Sequence, residues 1–428
     1  MDRPDPRAVA LRTLRRVMEE GAYSTLTLSA ELDRSHLPVR DRQLSADLVY
    51  GTLRRTIPID RALAAIASRP LHQVDESALA VLRLGAYQIL FTRIPAHAAV
   101  SESVSLAEPP HRGFVNAILR RLAGEAPAVP PGSDDGGISA RTGLTEWAVA
   151  ELRRVLPEPE VEDAAAHLAS PAALSLRINE CRTTPGAVEG RLRDAGYDVR
   201  AAKRHPGVLR VAAGSPSRLP GFDEGWFVIQ DEASALVASA LDARPGERIL
   251  DACAGPGGKA TGLACAAGPE GLVVGADVHP RRAALVRQVG RRLGTPIRVV
   301  VQDARRPAVR GPFDAVLVDA PCSGLGAARR RPELLWRPQR ENLAGLARLQ
   351  VSILTGVADL VVEGGRLIYS VCTFPRAETD AAVRAFLAKR PDFEPLKVPG
   401  PDGDSATHRL WPHRDDTDAM FYAGFRRA

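Results

Sequence analysis

The sequence predicts a multidomain chain of three parts: an all-α bundle, a small α+β module and a C-terminal α/β domain with an open, largely parallel sheet. Apolar residues recur at three- and four-residue steps from Asp5 to about Leu122, which is the period of an amphipathic helix. From Ala173 onwards, strand-like and helix-like segments alternate. Beyond Ile249, several predicted strands end in an aspartate or a cysteine, as expected at the ligand-binding edge of an α/β sheet.

The helical bundle is expected to occupy residues 1–124. Its first helix carries Arg7, Arg12, Arg15 and Arg16, and the last three fall on one helical side. Such a face either contacts a polyanion or is simply solvated, and the sequence favours neither interpretation.

Two further segments precede the C-terminal domain. Residues 125–143 are rich in Pro, Gly and Asp and lack apolar periodicity, so we expect a flexible linker there. Residues 144–230 begin with helical patterns and continue with strand-like stretches at 174–179 and 208–211, separated by a helix over 186–195. This alternation predicts a small α+β module.

The C-terminal domain is expected to span residues 231–428. Its first predicted strand ends at Asp251 and runs into a cluster formed by Gly255, Gly257 and Gly258, followed by a helix. Glycine has no Cβ, so a ligand can approach this backbone closely, as in nucleotide-binding loops. The glycine spacing matches neither the dinucleotide fingerprint nor the phosphate loop of nucleotide hydrolases.

Carboxylates close the next three predicted strands, at Asp277, Asp303 and Asp319. One aspartate at a strand end would be an ordinary cap or turn residue. Three in series after a glycine loop favour a ligand-binding rim, with Asp277 placed to accept hydrogen bonds from a ribose diol. Further on, the pattern predicts a helix over 342–362 and a strand over 366–370.

Two cysteines follow predicted strands in this domain. Cys322 lies in the segment Asp319-Ala320-Pro321-Cys322-Ser323-Gly324, and Cys372 in Tyr369-Ser370-Val371-Cys372-Thr373. An isolated cysteine is more often a small buried hydrophobic residue than a nucleophile. If both strands belong to one parallel sheet, however, both thiols emerge at its carboxyl edge, which suggests covalent catalysis.

These motifs resemble the RNA cytosine-C5 methyltransferases of the Sun family, in particular the RsmB type that acts on 16S ribosomal RNA. The resemblance rests on the glycine loop, on both cysteine segments, on Arg329-Arg330-Arg331-Pro332-Glu333 and Trp336, and on residues 225–234, which look like the entry into the catalytic domain. Segments 81–90, 94–102 and 113–121 resemble the NusB antitermination factor, whose bundle binds RNA and precedes the catalytic domain in RsmB-type enzymes. The implied architecture is a NusB-like bundle, a small α+β module that grips RNA, and a Rossmann-like class I methyltransferase domain ending in an antiparallel strand over 421–425.

The resemblance also implies a mechanism and roles. A thiolate adds to carbon 6 of cytosine, which makes carbon 5 nucleophilic towards the methyl group of S-adenosylmethionine. Cys372 corresponds to the nucleophile and Cys322 to the cysteine that assists product release. Asp319 lies at the methyl-donor end as a positioning group and candidate base, Asp277 contacts the ribose and Asp303 lies near the adenine. The remaining expected cofactor contacts are Cys253, Ala254, Gly255, Pro256, Gly257, Gly258 and Lys259.

Several points stay open in the sequence. Lys259 or Arg329 is expected to stabilise the thiolate, unless either binds phosphate instead. The two cysteines exchange roles if the chain follows the DNA cytosine-C5 methyltransferases, in which the cysteine after proline attacks. Trp336 and Trp411 are candidates for stacking on bases or for packing in the core.

Composition limits the partners and the cellular location that can be expected of the chain. The net charge of +6 and the pI of about 9.3 suit a partner that is a polyanion, although the abundance of arginine over lysine also fits a GC-rich coding bias. Five cysteines without a C-x-x-C pair predict reduced thiols, a cytoplasmic location and no metal site. The polar N-terminus predicts no secretory signal, and the absence of a long apolar run predicts no membrane span.

We expect the chain to act as a monomer on 16S ribosomal RNA or on a partly assembled small subunit. The alternatives are a non-catalytic NusB-like RNA-binding or assembly factor and a cytosine-C5 methyltransferase acting on transfer RNA. Retention of the glycine loop, the acids and both thiols favours the enzyme.

Overall fold

A computed structural model describes residues 5–212 and 216–428 of the chain. Residues 1–4 of the expected bundle and 213–215 of the expected middle module therefore lie outside the described residues. The chain divides into two compact units: a helical unit that runs to Ser170 and includes Ala328–Gln339, and an α/β unit formed by Pro171–Ala327 and Arg340–Ala428.

The described residues contain α-helices whose bounds, in chain order, are α1 Pro6–Met18, α2 Ser24–Ser35, α3 Val39–Arg54, α4 Thr56–Ile66, α5 Glu76–Phe91, α6 Ala96–Leu106, α7 Arg112–Gly124, α8 Asp135–Thr142, α9 Glu146–Arg153, α10 Glu158–Leu168, α11 Pro185–Asp194, α12 Glu232–Ala240, α13 Gly258–Ala267, α14 Pro280–Leu293, α15 Leu343–Ala358, α16 Asp380–Lys389 and α17 Pro412–Asp415. The strands are β1 Leu174–Ile178, β2 Val199–Ala201, β3 Val208–Val211, β4 Phe227–Ile229, β5 Arg248–Asp251, β6 Leu272–Asp277, β7 Arg298–Val301, β8 Phe313–Asp319, β9 Val361–Val371, β10 Phe393–Leu396, β11 Thr407–Leu410 and β12 Met420–Arg427. Among these helices, none combines the length and the apolarity that crossing a bilayer requires.

The helical unit confirms the predicted N-terminal bundle. Helices α1 to α7 bury their apolar stripes in two clusters, one around Leu14 and Leu48 and the other around Leu63 and Leu119. The carboxylate of Asp75 caps α5 by accepting hydrogen bonds from backbone N–H groups of its first turn, which leave no partner inside the helix. Burial of these stripes and the caps together explain why the predicted periodicity becomes helix.

The predicted linker over residues 125–143 is wrong in its second half, because α8 occupies 135–142. The side chain of Asp134 accepts a hydrogen bond from the backbone N–H of Gly137, and Gly143 ends the helix with φ of +86°. An Asp N-cap and a C-terminal glycine are usual at the ends of a helix, so the sequence does contain a signal for α8. The linker prediction overlooks this signal because the same stretch has the composition of a linker. The same unit includes α9 and α10, which the sequence had grouped with the middle module.

Residues 328–339 leave the α/β unit and pack among the helices of the helical unit. Glu333 is fully buried there and accepts a 2.6 Å hydrogen bond from the hydroxyl of Ser24. The indole N–H of Trp336 donates to the backbone oxygen of Leu53, and Arg337 donates to backbone oxygens that follow α1, including that of Ala22. Trp336 therefore has a packing role rather than that of a free stacking surface.

Arg12, Arg15 and Arg16 of α1 lie beside acids. Arg12 is within 3.1 Å of Glu31, Arg15 within 3.3 Å of Glu19, and Arg16 within 3.6 Å of both Glu20 and Glu31. Their charge is thus largely compensated within the helical unit. Of the two interpretations that the sequence left open for this face, the structure favours the solvated, ion-paired one.

The α/β unit contains two sheets. The small one is antiparallel with strand order β2-β3-β1-β4, and the large one has the order β10-β12-β9-β8-β5-β6-β7, with β11 paired to β12. Strands β9, β8, β5, β6 and β7 are parallel, and β12 lies antiparallel beside β9. The predicted fold class, with its antiparallel closing strand, is confirmed.

One pair of predicted boundaries in this unit is wrong. The helix expected over residues 342–362 ends at Ala358, and the strand expected over 366–370 runs from Val361 to Val371. Val361 and Val362 are β-branched and suit both the apolar period of the helix and the start of a strand. Leu360 fixes the outcome, since its backbone oxygen accepts a hydrogen bond from the N–H of Phe313 at the start of β8.

Candidate active site

The glycine loop connects β5 to α13 at the carboxyl edge of the large sheet. Gly257 has φ of +112°, which side chains other than hydrogen rarely tolerate. A Cβ on Gly255 would come within 2.4 Å of a carboxylate oxygen of Asp277. At one glycine the backbone approaches an acid closely, and at the other it turns sharply, so neither position leaves room for a side chain.

Asp277 ends β6, directly beside this loop. Its two oxygens accept hydrogen bonds from the backbone N–H groups of Gly255 and His279, and Arg282 lies 3.3 Å away. The guanidinium of Arg282 also donates to the backbone oxygen of Gly255. The acid and the glycine loop are thus held as one rigid edge, with the carboxylate oriented before any ligand binds.

Asp251, at the end of β5, is a buried acid to which the sequence assigned no role. It is 1% exposed, and neither oxygen accepts a hydrogen bond of ordinary geometry, although the backbone N–H of Cys253 is near. Burial, followed by the nearby charge of Asp319, raises the pKa of Asp251 to about 7. Burial also raises the pKa of the Cys253 thiol, so that this cysteine stays protonated.

Three acids, at positions 251, 277 and 319, lie near the loop, and the cations near it include Lys259, Arg282 and Arg177. The buried carboxylate of Asp251, which has no hydrogen-bond partner among the described residues, is unfavourable in its ionised form unless a further cation compensates it. S-adenosylmethionine carries a sulfonium and an ammonium group, so these residues fit the expected cofactor. When bound, that molecule supplies an electrophilic methyl group.

Asp303, which the sequence resemblance placed near the adenine, is paired with an arginine in this structure. Both of its oxygens accept hydrogen bonds from the side chain of Arg305, with a shortest distance of 2.6 Å, and one also accepts the backbone N–H of Arg305. These hydrogen bonds lower the pKa of Asp303. The residue lies at the mouth of a pocket lined by Arg305, Arg306 and Ser352, so a contact with adenine requires the Arg305 side chain to share or release it.

Cys322 and Cys372 meet at the carboxyl edge of the sheet, after the neighbouring parallel strands β8 and β9. Their sulfur atoms are 3.4 Å apart. The hydrogen bond with Cys372, burial, and the charges of Cys372 and Glu378 raise the pKa of Cys322 well above its usual range. Cys322 therefore keeps its proton and can donate it in a hydrogen bond to the sulfur of Cys372.

Lys259, in the first turn of α13, lies next to this pair. Its ammonium group donates a 2.7 Å hydrogen bond to Asp319, whose other oxygen accepts from the hydroxyl of Ser370 at 2.8 Å. Burial alone would lower the pKa of Lys259, but the charge and hydrogen bond of Asp319, with a further contribution from Cys372, raise it. The charged ammonium group of Lys259 therefore interacts with Cys372. Arg329, the other residue expected to stabilise the thiolate, is buried in the helical unit.

A buried polar network, which the sequence interpretation missed, connects the two cysteine loops. The hydroxyls of Ser323 and Thr373, each one residue after a cysteine, are 2.7 Å apart. Glu378 is fully buried and accepts hydrogen bonds from the backbone N–H and the hydroxyl of Ser323 and from the amide of Gln350. Serine and threonine are too common after a cysteine for the sequence alone to signal this connection.

The small sheet holds the other end of the cofactor loop. Arg177, on β1, donates to the side chains of Gln230 and Thr261 and to the backbone oxygen of Gly258. Burial lowers its pKa to about 10, so the guanidinium remains charged at neutral pH. No local sequence pattern indicates a role for this arginine, because its partners lie 53 to 84 residues away.

Cys181 and Cys265 form a disulfide between the loop after β1 and helix α13. The expectation that all five cysteines are reduced is therefore wrong for this pair. Their Cα atoms are 5.7 Å apart, within the range that a disulfide spans, but their separation of 84 residues gave no signal in the sequence. The free cysteines are Cys253, Cys322 and Cys372.

Trp411 is 2% exposed and packs against the ring of Phe374, with ring centres 5.8 Å apart. It forms part of the core behind the cysteine loops, and its face is not available for a base. The segment that contains it forms the end of β11 and the short helix α17.

Comparison with known proteins agrees with this architecture. Residues 238–426 match the family described as 16S rRNA methyltransferase RsmB/F, residues 4–124 match the NusB family, and residues 144–217 match the ferredoxin-like domain of RsmF/B-like methyltransferases. The chain is 32% identical, over the full length of both proteins, to a Bacillus subtilis protein named probable ribosomal RNA small subunit methyltransferase B. The chain belongs to the RsmB/F methyltransferase family.

Other relatives of the RsmB/F family show the same full-length likeness. A Pseudomonas putida protein named ribosomal RNA small subunit methyltransferase B is 33% identical over 98% of each chain. Among solved structures, the protein PH0851 covers 99% of both chains with a TM-score of 0.85 and 25% identity. The likeness to this family thus extends over the whole chain, including the helical and the ferredoxin-like parts.

Proposed function

We propose that this protein uses S-adenosylmethionine to methylate carbon 5 of a specific cytidine in 16S ribosomal RNA, through a covalent adduct between Cys372 and carbon 6. The observation that carries the proposal is the 3.4 Å separation of the two sulfur atoms, beside the Lys259–Asp319 pair. Methylation of an RNA oxygen or of an exocyclic nitrogen needs no thiol. Addition to a pyrimidine ring and later elimination need a nucleophilic thiolate and a second group that handles a proton.

The electrostatics support Cys372 as the nucleophile. The hydrogen bond with Cys372 and burial, followed by the charges of Cys372, Glu378 and Asp319, raise the pKa of Cys322. Cys372, in contrast, interacts with the ammonium group of Lys259, and a neighbouring cation is the usual setting of a reactive cysteine. This difference argues against the exchanged arrangement, in which the cysteine after proline attacks.

In the proposed cycle, each residue has a distinct task. Cys372 adds to carbon 6, and the sulfur of Cys322, in contact with it, assists release of the product after the methyl group has been transferred. Asp319 holds Lys259 and Ser370 at the end of the donor cleft, and is the nearest candidate base for the proton on carbon 5. The loop from Cys253 to Lys259, with Asp277 and Asp303, holds the methyl donor.

The proposed RNA substrate rests on the names of the relatives, which specify the small ribosomal subunit, and on the family matches of the helical and ferredoxin-like parts. We place the enzyme in the cytoplasm, where such RNA is assembled into subunits, and propose that it acts as a monomer. A cytosine-C5 methyltransferase for transfer RNA would use the same site, and a non-catalytic assembly factor would not need it.

The decisive experiment is transfer of tritium from methyl-labelled S-adenosylmethionine to naked 16S ribosomal RNA, to small subunits and to bulk transfer RNA, followed by nucleoside analysis. We expect labelled 5-methylcytidine from the 16S RNA or from the subunit. Label confined to transfer RNA would overturn the substrate, and label in another nucleoside would overturn the chemistry. Binding of 16S RNA without any transfer would favour the assembly factor. Bisulfite sequencing then identifies the cytidine.

A further inference from the structure

The positive charge of this protein is concentrated in one stretch of the α/β unit. Residues 278–313 contain nine arginines and a single acid, Asp303, which gives a formal net charge of +8. The whole chain carries +6, so all other residues together carry −2. A coding bias towards arginine acts along the whole sequence and does not remove acids from one stretch. At the average density of 51 acids in 428 residues, about four would be expected there.

Six of these arginines are exposed and, among the described residues, have no hydrogen bond or ion pair with another side chain: Arg281, Arg287, Arg291, Arg298, Arg306 and Arg310. The other three are engaged. Arg282 holds the cofactor loop, Arg305 is paired with Asp303, and Arg292 donates to backbone oxygens of Phe222 and Phe227. The charge of these six side chains is therefore uncompensated. Arg12, Arg15 and Arg16 of α1, in contrast, lie beside glutamates.

These side chains surround the open edge of the large sheet. In the part of the chain that the structure describes, strand β7 is the last strand of the order and pairs with β6 alone. Arg298 begins this strand, Arg287 and Arg291 are one turn apart on α14, which packs against it, and Arg306 and Arg310 follow it. A charge on an edge strand also prevents edge-to-edge aggregation, but that explanation covers Arg298 alone.

We propose that residues 278–313 form an RNA-docking surface that contacts the phosphate backbone of the substrate outside the nucleotide being modified. This inference rests on the proposed function, which supplies the RNA. Arginine suits phosphate because its planar fork donates two hydrogen bonds, and backbone contacts of this kind position a nucleic acid without reading its sequence. Uncompensated charge on an exposed surface is what release of counterions from RNA requires.

The position of the surface fixes which phosphates it contacts. Strands β5 and β6 lie between β8, which precedes Cys322, and β7. Three strand spacings amount to about 14 Å. Phosphates at the β7 edge therefore belong to nucleotides, or to a neighbouring RNA helix, away from the target cytidine. The surface orients the folded RNA while the cysteine loops act on one base.

The test compares two triple variants of the full-length protein. In the first, Arg287→Gln, Arg291→Gln and Arg298→Gln remove three exposed charges of the proposed surface. In the matched control, Arg384→Gln, Lys389→Gln and Arg426→Gln remove three exposed charges from α16 and β12, at the other end of the sheet. None of the six contacts the cofactor loop or the cysteines. Binding of S-adenosylmethionine, measured by calorimetry, checks that each variant is folded.

Affinity for a 16S ribosomal RNA transcript is then measured over a range of salt concentrations. We expect the first variant to bind on the order of tenfold more weakly at 0.15 M salt, and its dependence of log Kd on log salt to lose about 0.7 to 0.9 in slope for each phosphate contact removed. The control variant should keep both values. In methylation assays, KM for RNA should rise in the first variant while kcat at saturating RNA is unchanged.

Three results would overturn the proposal: equal affinity and slope in the first variant and the wild type, equal weakening in both variants, or a loss seen with small subunits but not with naked RNA, which indicates a protein partner. The two proposals fail separately. A wild type that binds 16S RNA without methylating it contradicts the proposed function, whereas the salt slopes still decide this surface. A first variant that methylates RNA with an unchanged KM contradicts this surface alone.

Discussion

The sulfur atoms of Cys322 and Cys372 lie 3.4 Å apart, although 50 residues separate them in the chain. Strands β8 and β9 are neighbours and parallel, with Asp319 opposite Ser370, so the residues that follow both strands meet at one edge. The surroundings differ, because acids flank Cys322 and an ammonium group lies near Cys372. We propose that this difference in surroundings gives the two thiols different tasks.

The first prediction concerns Cys322→Ala. If Cys322 assists release, the variant should form the bond between Cys372 and carbon 6, transfer the methyl group and then retain the RNA. A covalent protein–RNA adduct should accumulate and appear as a shifted band that resists denaturant.

The control for this prediction is Cys372→Ala, which should bind S-adenosylmethionine with wild-type affinity and show neither methylation nor adduct. If the adduct forms in Cys372→Ala and not in Cys322→Ala, the roles are exchanged. Methylation by Cys372→Ala would remove this residue as the nucleophile altogether.

The second prediction concerns Lys259→Met, which removes the ammonium group near Cys372 and keeps the length of the side chain. A thiolate without a neighbouring cation is less favoured, so the rate at which iodoacetamide alkylates Cys372 at pH 7 should fall severalfold. Mass spectrometry of the Cys372 peptide measures this rate without any methylation assay. Lys389→Met, an exposed lysine at the end of α16, is the matched control. An unchanged rate in Lys259→Met would mean that another group stabilises the thiolate.

The third prediction concerns Glu378→Gln. The carboxylate of Glu378 accepts hydrogen bonds from the backbone N–H and the hydroxyl of Ser323, and the hydroxyl is in turn bonded to Thr373. An amide presents one acceptor oxygen and adds donors, so the two cysteine loops should lose their common anchor. We expect kcat to fall on the order of tenfold or more, because small displacements of reacting groups cost this much.

Two measurements separate this positioning role from general destabilisation. The affinity of Glu378→Gln for S-adenosylmethionine should stay at the wild-type value, since the cofactor loop does not contact the network. Glu378→Asp, which keeps the charge on a shorter side chain, should recover part of kcat. Glu363→Gln, an exposed glutamate on β9, is the control and should be silent. Equal loss of kcat and of melting temperature in Glu378→Gln, without recovery in Glu378→Asp, would contradict the role.

Much of this arrangement could be predicted from the sequence, because local patterns encode it. The glycine loop, the acid at the end of each strand and the order of strands all depend on residues that are close in the chain, such as Asp277 after its apolar run. The closing strand and the helical bundle follow in the same way from the period of their apolar residues. The ends of helices and strands are predicted less accurately where a residue suits two kinds of structure. Val361, for example, suits both the apolar period of the preceding helix and the start of a strand.

What the sequence could not predict depends on pairs that are distant in the chain. Arg177 and Thr261, Cys181 and Cys265, and Ser24 and Glu333 are each ordinary residues by themselves, and only the fold brings them together. The packing of residues 328–339 among the helices has the same origin. Ion pairing is a further case. In the sequence, Arg12, Arg15 and Arg16 cannot be told from the exposed arginines of residues 278–313, because only the fold shows which of them have acidic neighbours.

The last prediction concerns the buried acid Asp251 and the dependence of stability on pH. Burial raises its folded-state pKa from 3.8 to about 7, so ionisation disfavours the folded state. Protonated Asp251 favours the folded state relative to the ionised form. This contribution to the free energy of unfolding is fully present below pH 4 and is lost as the pH rises towards 7, by roughly 1.4 kcal/mol per pH unit at most. The melting temperature of Asp251→Asn minus that of the wild type should therefore increase between pH 4 and pH 7 and level off above. Saturating S-adenosylmethionine, whose positive charge compensates the carboxylate, should reduce this difference at pH 8. A difference that is constant with pH would mean that Asp251 titrates as it does in the unfolded chain.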